Sequence, residues 1–67
     1  MSTAITLSPV QLHHTFAAMQ KHGGGFCSRL ASAWYAADGA NKARIERAFE
    51  HLLTDFGPQS RFYSDAY

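Results

Sequence analysis

The chain has 67 residues, a formal net charge of +1 and an apolar content of 46%. That length admits one domain with one small core, and that composition excludes a disordered chain. The near-neutral charge excludes a heavily acidic nucleic-acid mimic and gives no strong electrostatic case for a nucleic-acid binder, which usually carries a clear basic excess.

Residues 1–6, MSTAIT, read as a frayed arm. The first helix is expected over about 8–22, and its start signal is dense. Ser8 is a natural N-cap, Pro9 takes the first helical position, and Gln11 completes a capping box with Ser8. Leu7 and Leu12 are placed for a hydrophobic staple around the cap. Leu12, Phe16 and Met19 recur at helical spacing as a buried stripe, and His22 with Gly23 closes the helix. Gly23, Gly24 and Gly25 then supply a hinge.

The second helix, about 26–37, reads FCSRLASAWYAA and carries one charge, Arg29. Phe26, Leu30, Ala33, Trp34 and Ala37 share its expected core face. Ser28, Ser32, Tyr35 and Ala36 lie roughly opposite, on a face that only the tail or a second molecule is left to cover. A helix so poor in charge belongs between other elements or against a partner. Asp38 and Gly39 end it and cap a third helix, expected over about 40–56. There Ile45, Ala48, Phe49, Leu52, Leu53 and Phe56 give the strongest helical period in the chain. Gly57 and Pro58 form a stop pair. The tail, 57–67, contains Phe62, Tyr63 and Tyr67, an aromatic content that favours packing back on the domain or across an interface. The expected fold is all-α: one compact three-helix domain over 1–67, with a central weakly charged helix and an aromatic C-terminal tail.

The run of Gly24, Gly25 and Phe26, then Leu30, Ala31, Ala33 and Trp34, then Ala37 and Asp38, then Asn41 through Glu46 with Ala48 and Phe49, resembles a group of small uncharacterised accessory proteins of tailed bacteriophages and prophages. The resemblance covers about half the chain, residues 23–57. It implies an accessory role in the cytoplasm of a bacterial host cell and transfers no catalytic site. By analogy, small phage proteins often bind and inhibit host proteins, including defence or transcription machinery.

Residue chemistry agrees with a non-catalytic role. Cys27 is the sole cysteine, so no internal disulfide forms and a reducing compartment fits. In the first turn of a helix its thiol is open to activation, but no helper base stands nearby in sequence, and a small buried hydrophobe is the simpler reading. His13, His14, His22 and His51 lack the paired spacing of a structural metal site; His13 and His14 point about 100° apart on a helix. Three of the histidines are expected to face solvent, with His51 placed to pair with Asp55. The glycine loop lacks the lysine and hydroxyl of a phosphate loop. No cofactor and no metal is expected. Residues 1–7 lack the basic start and apolar run of a signal peptide, and no stretch has the roughly 18 apolar residues of a membrane span.

The expected function is therefore binding. A protein partner, host-encoded, is the preferred reading, with the chain as a homodimer. Arg29, Tyr35, Arg44, Arg47, Phe62 and Tyr63 are the candidate partner-binding residues, because aromatics and arginine dominate contact hot spots. Tyr35 is the sharpest of these, and Trp34 reads as core. The alternative is a small DNA-binding or transcription-regulating module, with the second and third helices as a helix-turn-helix and Asn41, Lys42, Arg44 and Arg47 towards DNA. Against it, Trp34 and Tyr35 are bulky where such helices pack closely, and Glu46, Glu50 and Asp55 repel phosphate. A minor structural subunit ranks third, and an enzyme last.

Overall fold

The computed structural model describes residues 7–66, so the expected arm over 1–6 and the residue Tyr67 lie outside the described residues. The first helix, α1, runs Pro9–His22 and begins where the capping signal places it. Gln11 donates its amide N–H to Ser8 Oγ at 3.2 Å, and the Ser8 amide donates to Gln11 Oε1 at 2.9 Å. The pair satisfies donors that a helix start otherwise leaves open. Leu7 and Leu12 on either side of the cap both pack against the core.

α2, Gly24–Ala36, follows after one residue. The tight junction uses two glycines for different reasons. Gly24 has φ +76°, a conformation that other residues rarely adopt. At Gly23 a Cβ would lie 2.3 Å from Cys27 Cβ and 2.5 Å from the Met19 carbonyl oxygen. The end of α1 therefore sits directly on the first turn of α2.

α3, Gly39–Ala48, is capped by Asp38, whose carboxylate accepts the Asn41 amide at 2.8 Å. The third helix does not continue unbroken to residue 56. It stops at Phe49, with φ −120° and ψ 38°, and a short α4 resumes over Glu50–Asp55. At the break the hydrogen-bond step shortens: Phe49 N–H reaches the Ile45 carbonyl, but Leu52 N–H reaches Phe49. The bend divides the apolar stripe. Leu52, Leu53 and Phe56 enter the core, Ile45 and Phe49 are half-buried, and Ala48 is exposed. Gly57 is the expected stop; a Cβ there would meet the Leu53 carbonyl oxygen at 2.2 Å. A 3-10 turn over Tyr63–Asp65 completes the all-α fold, which has no strand among the described residues.

The core joins Phe16, Ala17, Ala18 and Met19 of α1 to Cys27, Ala31 and Trp34 of α2, with Leu52, Leu53, Phe56 and Ala66 closing it. Trp34 stacks on Phe16, ring centroids 4.3 Å apart and planes 7° from parallel. Burying side chains of this size stabilises by about 1.5–3 kcal/mol each.

The inward face of α2 differs from the expected one. Cys27, Ala31 and Trp34 are buried, whereas Phe26 is 61% exposed and Ala33 is exposed. Small residues decide the phase. Ala17 and Ala18 of α1 and Cys27 and Ala31 of α2 are all buried in the core these helices share, small residues that allow close helix approach and leave Phe26 turned outward. The same phase brings Tyr35 and Ser32 within hydrogen-bond reach of α1, while Ser32 and Ala36 stay exposed. Tyr35 donates its hydroxyl to the His13 carbonyl at 2.8 Å, and Gln20 donates to Ser32 Oγ at 3.1 Å.

Candidate functional site

The six candidate contact residues separate into two groups. Tyr35, Phe62 and Tyr63 are half-buried and turned into the domain. Besides its bond to His13, Tyr35 meets the edge of Trp34 at 5.1 Å. Phe62 lies 5.2 Å from both Phe56 and His22, with the Arg61 guanidinium 5.1 Å from its ring. Tyr63 stacks on His14 at 4.1 Å. Arg29, Arg44 and Arg47 form the other group, and all three are exposed.

Two histidines of α1, His14 and His22, anchor the C-terminal turn, which corrects the expectation that they face solvent. His14 Nε2 bonds the Tyr63 carbonyl. His22 Nε2 bonds the Asp65 carbonyl at 2.9 Å and lies 3.4 Å from its carboxylate, and Lys21 reaches the same carboxylate at 3.3 Å. His13 remains exposed, its ring 5.1 Å from Trp34. His51 is exposed and makes no ion pair with Asp55; its ring lies 6.4 Å from Phe49. Among the described residues no three His, Cys, Asp or Glu gather to hold a metal ion. Cys27 is buried against Gly23.

A shallow cleft between α1 and α3 brings His13, Trp34, Lys42 and Glu46 together. Its polar groups are already engaged with one another. Trp34 donates Nε1–H to Glu46 at 2.8 Å, and Lys42 Nζ lies 4.7 Å from the indole centre. A buried indole N–H requires such a partner, so this cluster is core architecture.

What remains outward is the opposite side of the α2–α3 hairpin. Phe26 projects there, its ring 5.7 Å from Phe49, with half-buried Leu30 and Ile45 behind. Arg29 sits one turn after Phe26 on α2. Arg44 and Arg47 occupy the side of α3 facing away from Lys42, Ile45 and Glu46, and so away from Phe49 and the Phe26 ring beside it. Among the described residues both ion pairs use Asp65, and neither involves an arginine. Arg44 makes one neutral contact, to Asn41 Oδ1 at 3.1 Å. Sequence reasoning placed Phe26 in the core and so missed it as a contact residue. The available signal was the small-residue line Cys27, Ala31, flanked by Ala17 and Ala18 on α1. Among the described residues no helix is long and apolar enough to cross a membrane. No protein-family model matches the chain, and no curated protein or solved structure matches it either.

Proposed function

We propose that this chain is a small phage-type accessory protein that acts by binding a protein, with a host-encoded target and inhibition of a host or defence protein as the outcome. The observation that carries the contact reading is Phe26: a large aromatic, 61% exposed, beside a second aromatic on a half-buried apolar base. Exposed large apolar side chains of this kind mark contact sites when they cluster and are rimmed by polar groups. The phage context and the cytoplasmic location rest on the sequence resemblance. A homodimer belongs to the same reading, because so short a chain gains from added burial; sedimentation at several concentrations tests it, and a monomer throughout contradicts it. The test of the contact role is affinity capture from bacterial lysate. Wild type should retain a protein that Phe26→Ser loses, and retention indifferent to Phe26 overturns the site.

A second reading, binding of DNA, has one observation in its favour. Glu46 is held by Trp34, so the outer side of α3 keeps Arg44 and Arg47 without that acid between them. A gel shift at two salt concentrations decides it, since non-specific contacts are strongest at low salt. No shift there removes the reading.

A further inference from the structure

We infer that the homodimer forms by exchange. The segment after Phe49, α4 with the C-terminal turn, leaves its own α1 and takes the same seat on the α1 of a second copy, while α3 and α4 join into one helix. This rests on the homodimer reading above and names the part that passes between the copies.

Two observations carry it. The first is that the bend at Phe49 has no local cause. Sharp helix breaks usually sit at proline or glycine, but residues 48–50 are Ala48, Phe49 and Glu50. The apolar period from Ile45 to Phe56 runs through them unbroken. The bend leaves the helical ladder open: Phe49 N–H reaches Ile45 and Leu52 N–H reaches Phe49, while neither the Glu50 nor the His51 amide bonds back to α3. In a joined helix these two amides would reach the Glu46 and Arg47 carbonyls.

The second is where the segment docks. Among the described residues its side-chain ties run to α1 and not to α3, the helix it continues. His14 bonds the Tyr63 carbonyl, His22 the Asp65 carbonyl, and Lys21 the Asp65 carboxylate. Leu52, Leu53, Phe56 and Ala66 are buried in the core that contains Phe16, Ala18 and Met19 of α1. An exchanged segment remakes each of these contacts on the second copy, and the restored ladder then favours the dimer. Local preference and fold agree there, whereas in the single chain they conflict at Phe49. Docking of two closed copies would leave that conflict in place.

The test uses the unaltered chain. Isotope-labelled and unlabelled protein are mixed, unfolded and refolded together, and sedimentation separates monomer from dimer. A carbodiimide then joins Lys21 to the Asp65 carboxylate, 3.3 Å apart, and mass spectrometry reads the linked peptides. The dimer should give Lys21–Asp65 links that pair a labelled with an unlabelled peptide, and the monomer only like-labelled links. Glu50→Pro should weaken dimerisation by at least about tenfold. Proline is tolerated at the first position of a helix, where Glu50 stands in α4, and breaks a helix interior, where it would stand in the joined helix. Should that variant fold poorly, the links in the unaltered chain decide alone. Like-labelled links only in a stable dimer overturn the exchange and leave the homodimer standing, as does a folded Glu50→Pro protein that dimerises as tightly as wild type. A monomer at every concentration overturns both.

Discussion

The two sides of the molecule treat the same residue types in opposite ways. Where α1 meets the C-terminal turn, the described aromatic and basic side chains have intramolecular partners: Tyr63 with His14, Phe62 with Phe56 and His22, Lys21 with Asp65. On the outer side of the α2–α3 hairpin, Phe26 is exposed and the arginines lack a carboxylate. The difference teaches that aromatic content alone does not identify a contact surface. The tail aromatics extend a core too small to close by itself, whereas Phe26 stands outside that core with only Phe49 against its ring.

The comparison is broken most severely at the core that both sides share. Trp34→Ala removes the ring stacked on Phe16 and leaves Glu46 without its donor, so it should cost about 3–5 kcal/mol in urea unfolding. That is a large part of the stability of so small a domain. Gly23→Ala should cost about 1–3 kcal/mol, because the added methyl group meets Cys27 and the Met19 carbonyl. A neutral result there would mean that α1 and α2 can separate at their junction.

The same two positions mark what was legible in the sequence. Local signals read correctly: the Ser8–Gln11 box, the Asp38 cap and the Gly57 stop each act within one turn. The helical phase of α2 did not read correctly, because it depends on which small residues of another helix come into contact. Size alone favours Phe26 as core, yet close approach through Ala17, Ala18, Cys27 and Ala31 turns it out. The break at Phe49 was likewise invisible, since no glycine or proline marks it; it serves a tertiary need, setting Leu52 and Leu53 on the core while Lys42 and Glu46 flank Trp34. The tail's aromatic packing was anticipated as one of two options, but the histidine anchors were not, because they join residues more than forty positions apart.

Smaller effects sharpen the contrast. His14→Ala removes a stacked ring and a hydrogen bond to the Tyr63 carbonyl, and should destabilise by about 1 kcal/mol, read as faster amide exchange confined to residues 62–66. Asp65→Asn should cost no more than about 1 kcal/mol, since its ion pairs are largely solvent-exposed. Phe26→Ser should shift the unfolding midpoint least, within about 0.5 kcal/mol, although it should abolish partner capture. A loss of several kcal/mol at Phe26 would instead make it a structural residue.

The central claim is that the stranded hairpin face, and not the aromatic tail, meets the partner. Photo-crosslinking tests it most directly, with a photoreactive phenylalanine analogue placed at position 26 in one protein and at position 63 in another, both exposed to bacterial lysate. The account predicts a discrete protein adduct from position 26 that position 63 does not give. An adduct from position 63 alone would contradict it.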